Sequence, residues 1–241
     1  MAKYQYKGKS KIVSEIPQGT KYKHKFIVDK CSFVLMSAYP ISGVKRLGCP
    51  LSNDHYDNDV LDLHLDLINS VCKNPSIMVI GGFDVKKIFK YPRRNEFQIV
   101  ENTLFQFTNS SEDLRIGLNA VERNYTVVLD ATFLPSIETY KLLLKDLNIS
   151  KVVYSERKSD CVGINLTSDN IINFFGYRCP LKIKGAYFIS LEDFDRLRKK
   201  NMGSTFNKNK FDYEMLEELK MLGVEDNSKS MRLDENYDIE N

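Results

Sequence analysis

Lys30-Cys31-Ser32-Phe33-Val34-Leu35-Met36-Ser37-Ala38, followed by Tyr39-Pro40-Ile41-Ser42-Gly43, is a continuous apolar run that stops on small and turn-forming residues. The run does not alternate polar with apolar, so it suits a short strand buried on both faces, the usual form in a parallel sheet. The next segments keep the same rhythm. Over residues 57–72, Val60, Leu61, Leu63, Leu65, Leu67, Ile68 and Val71 include a stripe at helical spacing, with aspartates early in the segment. Ile77-Met78-Val79-Ile80 then forms a second apolar run and closes on Gly81-Gly82. Strand, helix, strand is a βαβ unit, for which a right-handed parallel crossover is the default.

The alternation continues with a strand at 97–100 and a helix opened by Ser110, with Asp113 three residues on and Leu114, Ile116, Leu118 and Val121 behind it. Thr126-Val127-Val128-Leu129-Asp130 is a third buried strand that ends on a carboxylate. This pattern predicts an α/β fold, a three-layer α/β/α arrangement around a mostly parallel sheet. Ligands of such sheets bind beyond the carboxyl ends of the strands, where 37–46, 81–84 and Asp130 fall. Past residue 141 the rhythm loosens. The reading there is a short helix to Leu147, strands at 152–154, 161–166, 171–175 and 187–189, a helix over 191–199, and a last helix over 213–222 ended by Gly223.

In 241 residues, 42% hydrophobic and 28% charged with a net charge of +3, the chain has the balance of a globular protein. Its mean hydropathy of -0.35 and strand-length apolar runs predict no transmembrane helix and a cytoplasmic address. Residues 1–25 read as a polar basic arm, 26–224 as one domain and 225–241 as a flexible acidic tail. The lysines of the arm lack interleaved aromatics, so nucleic acid is not an expected partner. Five cysteines without a Cys-x-x-Cys pair, and three histidines without metal-binding spacing, indicate neither a zinc site nor a disulfide framework. His64 reads as a packed or surface histidine, and Phe105, Phe107, Phe174 and Phe175 as core.

The stretch from Leu35 to Leu51 resembles the opening signature of GT-A-type nucleotidyltransferases, the sugar-nucleotide pyrophosphorylases and cytidylyltransferases. Leu35 and Ala38 match the strand end of that signature, and Gly43 and Arg46 match its glycine and its phosphate-neutralising arginine. The likeness extends through Val79-Ile80-Gly81-Gly82, through Thr108-Asn109-Ser110-Ser111-Glu112-Asp113-Leu114, and to Asp130-Ala131-Thr132 in the place of the family's paired aspartates. It covers about residues 31–190, with Thr132 standing where the family has its second acid.

The resemblance implies a nucleotide-diphospho-sugar transferase-like fold and transfer of a nucleoside monophosphate from a nucleoside triphosphate to a sugar phosphate or phospho-alcohol, with release of pyrophosphate. It implies catalytic roles for Lys45, Arg46 and Asp130, and nucleotide contacts from Leu35, Ser37, Ala38, Gly43, Gly81, Asn109 and Ser110. Magnesium is the implied cofactor, held by Asp130 and a second acid for which Asp160, Asp212 and Glu214 are candidates, with Asp212 preferred. Two other readings stand beside it. One is a catalytically inactive protein of the same fold serving as a nucleotide-binding or interaction module; the other is a glycosyltransferase on the same scaffold. The residues also have plainer roles: Asp130 as a turn cap, Lys45-Arg46 as a solvated pair, Asn109-Ser110 as helix caps and Gly81-Gly82 as a strand end.

Overall fold

The computed structural model describes residues 26–40, 51, 60–156, 162–201, 208–226 and 230–232. Strand β1 (Val28–Ser37) lies at the centre of a sheet, between β2 (Cys72–Gly81) and β4 (Thr126–Asp130), parallel to both. Strand β3 (Gln98–Glu101) extends the sheet beyond β2, again parallel. On the other side of β4 comes β9 (Leu181–Ile189), antiparallel to it, then β6 (Lys151–Ser155) and finally β10 (Leu222–Glu225), parallel to β6. The order is therefore β3-β2-β1-β4-β9-β6-β10, with the hairpin β7 (Val162–Leu166) and β8 (Ile172–Tyr177) joined through β9. A two-stranded antiparallel pair, β5 (Phe133–Leu134) with β11 (Met231–Arg232), stands apart.

Alternation along β1 divides the core into two. Phe33 and Leu35 point toward Leu61, Leu65 and Ile68 of α1 (Val60–Val71), and toward Tyr140 and Leu143 of α4 (Ile137–Leu143). Val34 and Met36 point the other way, toward Leu114 and Leu118 of α3 (Ser110–Ala120), which follows the one-turn helix α2 (Lys86–Phe89). The same second core holds Phe194 and Leu197 of α5 (Leu191–Asn201) and Met215 and Leu216 of α6 (Asp212–Leu216). Each such side chain taken fully out of water contributes about 1.5–3 kcal/mol, so both faces of the sheet must be covered. The expected three-layer α/β/α arrangement is what forms.

Several boundaries differ from the sequence reading. The last helix ends at Leu216, and Leu222–Glu225 is a strand with Gly223 inside it, so Gly223 is no helix cap. A Cβ there would sit 2.8 Å from the Tyr154 ring and 3.0 Å from Leu166. Glycine is required by the close approach of β6 and β7 rather than by a turn. Helix α4 begins at Ile137, before residue 141, because Ser136 accepts a hydrogen bond from the Thr139 amide and caps it. Asn109, not Ser110, occupies the cap position of α3, and its side chain makes no capping bond. Phe107 and Phe174 are exposed, 71% and 44% respectively, whereas Phe175 is buried. Pairing continues past Val224, with the Asp226 amide donating to the Tyr154 carbonyl and Met231–Arg232 running along β5. Among the described residues no helix is long and apolar enough to cross a membrane.

Candidate functional site

The chain moves outward from β1 to β2 and β3 on one side, then crosses over β1 to β4 on the other. The strands that follow β1 and β4 therefore lie on opposite sides of this pair, a switch point beyond whose carboxyl ends sheets of this kind bind ligands. Register brings the rim residues together: Ser37 pairs with Gly81, Gly81 with Glu101, and Met36 with Asp130. The rim is laced by backbone bonds beyond the strands. The Met36 carbonyl accepts from the Ala131 amide (3.0 Å), the Ala38 carbonyl from Phe83 (2.8 Å) and the Gly81 carbonyl from Asn102 (2.7 Å). Gly82 permits this, since a Cβ there would lie 2.6 Å from the Ala38 carbonyl oxygen.

Asp130 ends β4, and its Oδ1 accepts from both the Thr132 amide (2.9 Å) and the Thr132 hydroxyl (2.8 Å). The turn after the strand is thereby fixed. Below it, the Ala131 carbonyl lies 3.0 Å from Nε2 of His64, a fully buried residue of α1. Burial pushes the His64 pKa down to about 4, against opposing effects of that hydrogen bond and of the Asp130 charge. The imidazole is neutral at ordinary pH, and because a carbonyl only accepts, its proton is on Nε2.

Asp212 enters from the far half of the chain. It starts α6, and its carboxylate accepts from the Ser110 hydroxyl (2.8 Å) while its own amide donates back to that oxygen (2.9 Å). Burial raises the Asp212 pKa, the nearby negative charge of Asp130 raises it further, and hydrogen bonds from Ser110 and Tyr187 act in the opposite sense. Two carboxylates that feel each other's charge favour a cation between them. Their hard oxygens suit magnesium, which needs only one or two carboxylates when phosphates and waters complete its shell. Among the described residues no group of three or more histidine, cysteine or acidic side chains forms a metal cage.

A third acid, Asp113, is 1% exposed, with Oδ1 accepting from Asn102 Nδ2 at 2.8 Å. The Ala38 amide also donates to this carboxyl, so Asp113 holds the backbone where β1 turns into the loop. Burial, with smaller contributions from the charges of Asp212 and Glu112, raises its pKa to about 7. Glu112 is neutralised by Arg115 at 2.5 Å.

The residues expected at the site fall into four groups. Ser37, Ala38, Gly81 and Asp130 lie at the rim, and Asp212 joins them from α6. Leu35 is wholly buried between Val79 and Leu129 and supports the rim from beneath rather than lining it. Ser110 ties α3 to α6 through Asp212, Asn109 Nδ2 donates to the Asn209 carbonyl, and Glu214 accepts from the Phe211 amide and so caps its own helix. Gly43, Lys45, Arg46 and Asp160 lie outside the described residues. Sequence reasoning missed Asp113 as a loop anchor, Tyr187 as a partner of Asp212, and Lys184, a buried cation on β9 two residues before the Ala186 that pairs with Leu129. The alternating apolar residues Leu181, Ile183 and Tyr187 are the signal from which the longer strand carrying Lys184 is readable.

No protein-family model matches the chain, and no curated protein matches it in sequence. Solved structures do match. The CTP:phosphocholine cytidylyltransferase of Streptococcus pneumoniae superimposes with a TM-score of 0.68 at 14% identity, over 85% of this chain and 93% of that one. The inositol-1-phosphate CTP transferase of T. maritima gives 0.65 at 12% identity, over 88% and 91%. A UDP-glucose pyrophosphorylase complexed with UDP-glucose gives 0.65 at 13%, over 87% and 95%. The chain thus has the fold of these sugar-nucleotide nucleotidyltransferases, across nearly the whole length of each.

Proposed function

We propose that the protein is a magnesium-dependent nucleotidyltransferase that moves a nucleoside monophosphate from a nucleoside triphosphate to a sugar phosphate or phospho-alcohol and releases pyrophosphate. The observation that carries this reading is the place of Asp130 at the carboxyl end of β4, in register with Met36 beside the Ser37–Gly81 rim, with Asp212 from the other half of the chain near enough to feel its charge. The match to solved nucleotidyltransferases supports it through the shared fold.

In this reading the acceptor's phosphate oxygen attacks the α-phosphorus, a new P–O bond forms, and the bond to the β-phosphate oxygen breaks with its electron pair leaving on pyrophosphate. No covalent nucleophile from the protein is needed, since such transfer depends on positioning and charge stabilisation. Backbone amides of the loop over 37–43 bind phosphate oxygens, with Asp113 holding the start of that loop through the Ala38 amide. Lys45 and Arg46 neutralise the triphosphate. Asp130 and Asp212 hold the magnesium, which when bound supplies Lewis-acid stabilisation of the phosphates. Tyr187 and Ser110 orient the Asp212 carboxylate, and their hydrogen bonds favour its ionised form against the opposing effect of burial.

A second reading, a nucleotide-binding module without turnover, is favoured by Thr132, which stands in the place of a second acid and spends its hydroxyl on Asp130. One experiment separates the two. Pyrophosphate release is measured with each of the four nucleoside triphosphates and magnesium against a panel of sugar 1-phosphates and phospho-alcohols, with triphosphate binding followed by calorimetry. Release dependent on acceptor and magnesium supports the transferase. Binding without release supports the module, and absence of binding by the intact protein removes both.

A further inference from the structure

We propose that His64 is a positioning residue for Asp130: its Nε2–H fixes the Ala131 peptide and thereby aims the carboxylate at the end of β4. This inference rests on the reading that Asp130 holds the metal ion. Helix α1 buries Val60, Leu61, His64, Leu65, Ile68 and Val71, five apolar side chains and one imidazole. Packing alone explains the five. An imidazole in their row costs desolvation, and its Nδ1 has no hydrogen-bond partner in the core, which adds to that cost. The polar side chain is therefore not the best filler of its site, and its one hydrogen bond, to the Ala131 carbonyl at 3.0 Å, is what distinguishes it from leucine.

That carbonyl belongs to the Ala131–Thr132 peptide, whose N–H, that of Thr132, donates to Asp130 Oδ1. The two Thr132 donors curl the chain back onto Asp130 Oδ1, and the Ala131 amide is spent on the Met36 carbonyl at 3.0 Å. The Ala131 carbonyl is thus directed into the helix layer, away from water, where a buried acceptor needs a donor. His64 supplies it. The turn is held from the sheet by Met36 and from α1 by His64, so the Asp130 side chain leaves the strand in one orientation. Without the donor, the Ala131 peptide gains by rotating toward solvent, and Asp130 turns with it. The role depends on a neutral donor at Nε2 and on no change of protonation.

The test uses the full chain with His64→Leu, which keeps volume and removes the donor, His64→Gln, whose amide nitrogen reaches about as far as Nε2, and Asp130→Asn. Binding of Mn2+ alone is measured by the loss of its free EPR signal. The expected results are loss of binding in Asp130→Asn, a roughly ten- to hundredfold weaker dissociation constant in His64→Leu, and near-native binding in His64→Gln, in keeping with removal of groups that orient metal ligands. Native binding by His64→Leu alongside loss in Asp130→Asn overturns the positioning role and leaves the metal site standing. Native binding by Asp130→Asn overturns the metal reading instead. Positioning is then judged by hydrogen exchange of the Ala131 and Thr132 amides, which must speed up in His64→Leu, beyond any change in global stability, and not in His64→Gln. Should His64→Leu fail to fold, 15N spectra of the native protein decide: an Nε2–H tautomer supports the assignment and an Nδ1–H tautomer refutes it.

Discussion

The two halves of the sheet are built on different principles. From β1 to β4 every described strand runs parallel, each after β1 is fed by a helical crossover, and the side chains of β1 sort cleanly between two cores. From β6 to β10 the chain pairs antiparallel through β9, shifts register between Val152 and Tyr154, and projects a hairpin from the sheet. The first half supplies a rim of backbone and one fixed carboxylate; the second brings Asp212 and Tyr187 across to meet it. A regular scaffold is suited to holding a common group such as a phosphate chain. An irregular one suits what varies, which in this reading is the acceptor.

The strongest way to break that division is to remove one carboxylate from each half. Asp130→Asn and Asp212→Asn should each reduce nucleotidyl transfer by about a thousandfold, the scale for losing one fixed group that stabilises transition-state charge. Because both are taken to hold one ion, the double substitution should cost far less than the product of the two, a non-additivity expected of groups acting as a unit. Steady-state rates of pyrophosphate release for the four proteins check this. An Asp212→Asn rate within threefold of native would confine the site to the parallel half.

Legibility in the sequence follows the same boundary. Phe33 to Met36, Ile77 to Ile80 and Val127 to Leu129 are continuous apolar runs, because a strand buried on both faces has no polar side to show. Those runs suffice for the parallel half and for placing Asp130 at its rim. Beyond it, Tyr213, Leu216, Leu219 and Leu222 recur every three residues and mimic a helix that Gly223 would end. The chain instead turns after Leu216 and pairs Leu222–Glu225 with β6, some seventy residues earlier, a contact no local pattern encodes. At the site, Asp212 is one of several acids in the sequence, and only its approach to Asp130 singles it out. Asp113 and His64 read as a helix-start acid and a packed histidine; burial and their hydrogen bonds to Asn102 and Ala131 give them their roles.

Asp113 sharpens the comparison by pH. Its folded pKa, raised to about 7, lies above the ordinary aspartate value of about 4, so the folded state holds the extra proton between these limits. The contribution to stability is then complete below about pH 4, falls as pH rises, and is fully lost once pH passes about 7. Asp113→Asn removes the charge and keeps an acceptor for the Ala38 amide. It should match the native protein at pH 4 and exceed it at pH 8 by an amount on the order of 1 to a few kcal/mol, measured by urea unfolding across that range.

Two glycines compare packing in the halves directly. A Cβ on Gly117 would meet Val34 Cγ1 at 2.4 Å, where α3 rests on the centre of β1, whereas a Cβ on Gly223 meets the outer parts of Tyr154 and Leu166 at 2.8 and 3.0 Å. Gly117→Ala should cost about 1–3 kcal/mol through overpacking, offset by up to about 1 kcal/mol of helix propensity. Gly223→Ala should cost less, because ring and methyl termini yield more readily than a β-branched side chain inside a strand. Equal losses in chemical denaturation would mean that the mixed half is packed as rigidly as the parallel one.

The smallest expected effect lies at the seam. Helix α4 covers both halves: Tyr140 packs edge-on to Phe33 at 6.3 Å, and Lys151 of β6 donates to the Leu143 carbonyl at the helix's other end at 2.9 Å. Its start is held by Ser136 Oγ, which accepts from the Thr139 amide at 3.1 Å. Ser136→Ala removes that acceptor and should cost about 1 kcal/mol, a few degrees in melting temperature. Tyr140 and Leu143 are anchored in the core beyond the first turn, so fraying should stop there and leave the Asp130 turn untouched. Mn2+ affinity should therefore be native. A loss of affinity accompanying so local a change would show that α4, and not the β1–β4 pairing alone, keeps the rim in register.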